Sequence, residues 1–215
     1  MMQVSVSASG ELSPWWKRSA LATMLFGFAI LILLTVKAYD NAPPVPARAV
    51  DPSGAVIFTG NDITAGQEVF LKYGLMDNGT IWGHGAYLGP DFSAQYLHNS
   101  ALDLGDHFAR NRLGRGYAEI SAKDRASIDA MVAVALEQNR YDPSSGTLTL
   151  LPGAAQSFDR QVGYWTNYFK TPAKNGGLHP DAILDPREIR QLTAFFAWTA
   201  WASAAASGQD LFLHE

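Results

Sequence analysis

The apolar positions of this chain fall into one long unbroken run, followed by shorter stretches with helical spacing. Residues 19–36, SALATMLFGFAILILLTV, carry no charge and are mostly apolar. As a helix they would extend about 27 Å, close to the hydrocarbon thickness of a bilayer. Trp15 and Trp16 before the run and Tyr39 after it are the aromatic anchors expected at two membrane interfaces. The pattern predicts a transmembrane anchor over residues 19–38. A cleaved signal peptide is the alternative; its apolar region would be unusually long, and the A-x-A candidate Ala47-Arg48-Ala49 lies well past it. Residues 39–55, with the stretch NAPPVPARAVDPSG, read as a stiff Pro-rich linker, and the folded region is expected over 56–215.

Within that region caps and periodicity predict five helices and a ribbon. Thr64-Ala65-Gly66-Gln67 reads as a capping box opening a helix through about Lys72, ended by Gly74. After Pro90, Ser93 caps a helix whose Leu97, Ala101, Leu104 and Phe108 share a face. Ser121 starts another, with Ile128, Met131, Val132, Ala135 and Leu136 on one stripe. Residues 141–151 alternate after a Ser145-Gly146 turn and read as a short β-ribbon. Residues 157–169 form an aromatic-rich helix. The last helix has Asp185 at N-cap, Pro186 at its first position and Glu188 at its third, and runs to about Ala206 with Gly208 beyond. Its stretch between Arg190 and Asp210 is uncharged, so a second membrane span competes with a core helix; the Ala, Ser and Thr content favours the core.

Charge adds orientation. Lys17 and Arg18 precede the apolar run, while Asp40 and Asp51 offset Lys37 and Arg48 beyond it. The positive-inside rule then makes residues 1–18 a cytoplasmic tail and places the rest outside the inner membrane. A net charge of -4 offers no basic stripe, so nucleic acid is excluded as a partner. With no cysteine in 215 residues, thioether-linked haem, thiolate metal sites and disulfides are all ruled out.

Candidate chemistry is sparse. His84, His98, His107, His179 and His214 show no i, i+4 pair or H-x-x-x-H cluster. His84, between two glycines, is expected to bond backbone or meet solvent. Asp103, Asp106, Asp124 and Asp129 lie near helix starts or exposed faces, and no G-x-S-x-G nucleophile motif occurs.

One segment, 71–97, LKYGLMDNGTIWGHGAYLGPDFSAQYL, stands apart. It resembles the start of the extracytoplasmic domain of quinol-dependent nitric oxide reductases. It is also similar to the haem-attachment region of the cytochrome c subunit of two-subunit nitric oxide reductases. There a C-x-x-C-H motif runs into a G-E-G-A-Y-F-A-P segment. Here Gly83-His84-Gly85-Ala86-Tyr87-Leu88-Gly89-Pro90 fills the second part, and Leu75-Met76-Asp77-Asn78-Gly79 stands in place of C-x-x-C-H. The resemblance extends over roughly residues 56 to 206, including the 141–151 ribbon and the FFAWTAW helix.

The resemblance implies a mainly α-helical domain of cytochrome c type, without haem, behind one transmembrane helix. Its first and last helices would cross closely, Gly66 and Phe70 meeting Phe195, Phe196 and Trp198. Side chains such as Trp82 and Trp165 would fill the haem pocket. The implied partner is a catalytic membrane subunit or domain that carries haem b and non-haem iron, absent from this chain, and converts two nitric oxide molecules to nitrous oxide. A calcium ion at that interface would take the backbone carbonyls of Gly85 and Tyr87, completed only by the partner. Two other readings stay open: a free-standing membrane-anchored binding protein, and a carrier whose haem b sits between a histidine and Met76 or Met131.

Overall fold

The computed structural model describes residues 14–40, 42–171 and 175–207, in two compact units divided between Pro44 and Val45. The first holds one helix, α1 (Pro14–Asp40), whose Pro14 sits at the helix start, where a missing N–H costs nothing. The helix reaches further at both ends than the apolar run, so Trp15, Trp16 and Tyr39 lie within it. An 18-residue stretch of it has a mean hydropathy of 2.4, and over Pro14–Tyr39 the helix is long and apolar enough to cross a membrane. Residues 1–13 of the expected cytoplasmic tail fall outside the described residues.

In the second unit β1 (Arg48–Val50), β2 (Val56–Thr59), β5 (Tyr141–Asp142) and β6 (Thr147–Thr149) form one sheet in the order β2-β1-β6-β5. The 141–151 ribbon is therefore half of a larger sheet. This corrects the expected linker over 39–55: its Arg48-Ala49-Val50 stretch is an inner strand, antiparallel to β2 and parallel to β6. The Pro-rich stretch ends at Pro46, and from Arg48 the chain is free to donate ladder bonds. Phe58, Ala49, Leu148 and Tyr141 stand opposite one another across the four strands. Phe58 stacks on Phe158 at 5.4 Å and Tyr141 meets Trp201 at 6.0 Å, which fixes this sheet face against helices.

The helices are α2 (Gly60–Lys72), α3 (Phe92–Leu113), α4 (Ala122–Glu137), α5 (Ala154–Lys170) and α6 (Pro186–Ser207), with β3 (Thr80–Ile81) and β4 (His84–Gly85) between α2 and α3. Two start signals move. The capping box of α2 is Thr59 with Asp62, one turn before Thr64, which lies inside the helix and donates to the Gly60 carbonyl. Asp91, not Ser93, caps α3 by accepting from the Ala94 N–H; Ser93 is buried in the first turn. Ser121 caps α4 as expected, and Asp185 accepts from the Arg187 N–H at the start of α6. Helix α6 is a core helix: Ile189, Leu192, Thr193, Ala194, Phe196 and Thr199 are each at most 1% exposed. Gly208, its expected stop, lies outside the described residues.

Helices α2 and α6 cross with their backbones nearly touching. A Cβ on Gly66 would run into the Gln191 carbonyl and come within 2.8 Å of the Phe195 Cβ. Phe70, one turn on, meets Phe195 at 5.6 Å and Phe196 edge-on at 6.2 Å, so the expected crossing is present. At its end Glu188 accepts from the Lys72 ammonium at 2.6 Å and the Tyr73 hydroxyl at 2.7 Å.

Gly66→Ala should lower the unfolding free energy by about 1–3 kcal/mol through overpacking. Gly163→Ala, at an open position of α5, should be neutral or stabilising by about 0.5–1 kcal/mol. Thermal unfolding of both variants checks the contrast. Hydrogen bonding from Lys72 holds the Glu188 carboxyl below its ordinary 4.5. A depressed folded-state pKa means a contribution present above the unfolded value and lost as pH falls through the folded one. The Tm gap between the wild type and Glu188→Gln should therefore narrow as pH falls from about 6 to about 3.

Candidate functional site

Strands β3 and β4 make a hairpin with a two-residue turn, Trp82-Gly83, in which both residues have positive φ, 53° and 76°. Both central residues of a type I′ turn need that sign, which glycine adopts freely and tryptophan does not. Trp82 is held there from outside: its indole N–H donates to the Thr199 carbonyl of α6 at 2.8 Å, and its ring lies 5.8 Å from Trp198. This corrects the expectation for Trp82. It is 41% exposed and braces a surface hairpin rather than filling an interior pocket.

Asp91 fastens the hairpin to α3. Its Oδ2 accepts from the Thr80 hydroxyl at 2.7 Å and the Gly83 N–H at 2.6 Å, while Oδ1 caps the helix. After β4 the chain turns back on itself: the Ala86 N–H donates to the Met76 carbonyl at 2.8 Å and the Gly89 N–H to the Asn78 carbonyl at 2.6 Å. Asn78, 3% exposed, ties this loop to the one before α6. Its Nδ2 donates to the Asn175 and Gly176 carbonyls at 2.8 and 3.0 Å, and its Oδ1 accepts from the Tyr168 hydroxyl at 2.9 Å. Burial pushes the Tyr168 hydroxyl up to about 12, so it stays a donor at neutral pH.

The positions that stand in place of C-x-x-C-H are thus structural. Leu75 is fully buried, Asn78 is the polar tie, and a side chain at Gly79 would strike Phe92, whose Cε2 lies 2.7 Å from the would-be Cβ. Phe92 belongs to a ring cluster drawn from four helices. It stacks on Phe196 at 4.8 Å with planes 8° apart, and meets Trp165 at 5.5 Å and Phe70 edge-on at 5.7 Å. Trp165 is fully buried, as an interior filler should be.

The histidines are not gathered. His84 is exposed on β4, His98 and His107 lie on α3, and exposed His179 donates its Nδ1–H to the Pro180 carbonyl; His214 is outside the described residues. Met76 is exposed, and the Met131 sulfur accepts from Arg112. Among the described residues no three His, Asp or Glu side chains come together as a metal set. The acidic residues serve structure: Asp103 pairs with Arg160 and Ser157, Asp106 with Arg110, and Asp124 with the Ser121 cap, while Asp129 accepts from Tyr117. Gly85 and Tyr87 lie on the exposed rim of the hairpin loop. What that rim presents is apolar surface: Met76 is 45%, Tyr87 86% and Leu88 72% exposed beside Trp82.

Residues 46–211 match the family described as the NorB cytochrome c-like domain of nitric oxide reductase. The matched region begins just before β1, at the boundary of the second unit. The chain belongs to that family. A sequence comparison with curated proteins finds no match.

The roles of Asn78 and Asp91 are missing from the sequence reading. The Pro90-Asp91 pair ahead of an apolar face carried a usable signal for the second; nothing local marks the first. Asn78→Asp keeps the shape but sets a carboxylate against the Asn175 and Gly176 carbonyls. It should cost roughly 2–3 kcal/mol in chemical unfolding, with Asn78→Ala close behind.

Proposed function

We propose that this chain is the membrane-anchored docking module of a nitric oxide reductase fed directly by quinol, and that its domain works without haem. The observation that carries the reading is the apolar rim of the hairpin. Exposed aromatic and aliphatic side chains on a braced loop are characteristic of a surface that another protein covers. The bracing matters, because a surface ordered in advance loses little conformational entropy on docking. The partner that fits is the catalytic membrane subunit or domain, with α1 in the inner membrane, its N-terminus cytoplasmic and the domain outside.

The residues at 75, 78 and 79 support the haem-free part. Leucine, asparagine and glycine supply neither thioether nor iron ligand, and the Phe92 ring occupies the space a ligand at 79 would need. Such a module cannot relay electrons, so quinol would deliver them to the partner. Calcium would be shared. It takes about 6–8 oxygen ligands, and both oxygens of Asp91 are already engaged. In the hairpin register the Thr80–Gly85 pair lies one step beyond the ladder bonds beside the turn. By the resemblance, this chain would offer the Gly85 and Tyr87 carbonyls, and the partner the rest.

Tagged protein purified from solubilised membranes should carry a haem-containing polypeptide with it. Tyr87→Ser/Leu88→Ser should reduce that recovery at least tenfold without lowering the Tm of the tagged chain. A clean monomer would favour the free-standing binding protein instead. A Soret band that scales with the tagged polypeptide alone would overturn the haem-free reading.

A further inference from the structure

A cavity of about 450 Å³ opens between α3, α5, α6 and the β5–β6 ribbon, away from every residue used above for docking. Its size falls in the range of small-molecule sites, about 300–1,000 Å³. Its walls are apolar: Leu97 and Leu104 of α3, Leu148 and Leu150 of the ribbon, and Ala200 and Trp201 of α6. The charges on its rim cancel in pairs with one exception. Asp103 is matched by Arg160 at 2.9 Å, and Asp106 by Arg110 at 2.6 Å. Arg140 has no carboxylate partner among the described residues.

Arg140 closes the end of α4, giving Nη1 to the Ala135 and Gln138 carbonyls at 2.7 and 3.3 Å and Nη2 to the Gln138 side chain at 2.7 Å. Those dipoles take part of its donor fork and leave its full charge without a counter-ion. Burial alone depresses its pKa, the sign of a cation partly withdrawn from water with nothing opposite it. Trp201 adds a buried indole N–H with no acceptor. Both residues line the cavity, and Tyr141, next to Arg140 in the chain, packs its ring on Trp201 at 6.0 Å. The lining of one apolar cavity thus includes both an unmatched guanidinium and an unsatisfied donor.

We propose that this cavity binds an anionic amphiphile, a hydrocarbon chain ending in a carboxylate or phosphate, with the head on Arg140 and the tail along the leucine wall. Such molecules are present wherever a bilayer is, and the chain carries a helix able to enter one. The head contributes charge-assisted hydrogen bonds, and the tail contributes burial.

Calorimetric titration of the full chain in lipid nanodiscs, with empty discs subtracted, tests this. Decanoate should bind saturably at one site, at least tenfold tighter than decanol. Arg140→Gln should weaken decanoate at least tenfold and leave decanol unchanged, while Arg140→Lys recovers part of the loss. Octyl phosphate should compete with decanoate, and inorganic phosphate should not. Equal affinity for decanoate and decanol would overturn the proposal, as would failure of both to saturate. Competition by inorganic phosphate as strong as by octyl phosphate would overturn the lipid assignment. Should Arg140→Gln not fold, the wild-type comparison of decanoate with decanol still decides.

Discussion

The packing of Phe92 against Phe196 is the constraint on which the domain depends. Two rings at 4.8 Å with nearly parallel planes join the start of α3 to the middle of α6. Trp165 from α5 and Phe70 from α2 close on the same pair, so four helices share one contact. Aromatic pairs of this kind contribute about 0.5–1.5 kcal/mol each beyond the area they bury. Their larger effect is on sequence. With the Phe92 ring in place, position 79 tolerates no side chain and Leu75 packs as an ordinary apolar core residue. A segment that resembles a haem-attachment region becomes the floor of an aromatic core.

That floor explains how the hairpin above it can hold a strained turn. A tryptophan at positive φ is unfavourable by roughly 1–3 kcal/mol and persists only where its surroundings over-determine it. Here α6 supplies the Thr199 carbonyl, Asp91 supplies a carboxylate to the turn, and Asn78 locks the base to the loop before α6. Each of these groups is positioned by a helix packed on the ring cluster. The exposed rim is therefore held in place by the packing of the interior.

Much of this was legible in the sequence where the signal was periodic or local. Helices α1, α4, α5 and α6 followed from spacing and caps, and the Gly66 crossing from the resemblance to a domain of cytochrome c type. The α2 and α3 starts each slipped by a few residues because two oxygen-bearing side chains competed as caps. Thr59 and Asp91 won, since their neighbours could complete the hydrogen bonds. Strand β1 was not legible, because three residues after a Pro-rich stretch have no periodicity to read. Its identity comes from pairing with β6, about a hundred residues away. Trp82 and Trp165 could not be separated from composition alone. Only the hairpin geometry shows that one faces solvent and the other the core.

Helix α6 also accounts for the cavity. In its second half large residues give way to alanine, which reads at first as diluted hydrophobicity. The structure assigns the small residues a place: Ala197, Ala200, Trp201 and Ala204 follow helical spacing along one stripe and line the cavity. Trp198 and Thr199, between them in sequence, face the hairpin. A leucine at 197 or 200 would satisfy a purely structural helix and close the space. Alanine on that stripe, with bulky residues on the other, lets one helix brace the hairpin on one side and keep room on the other.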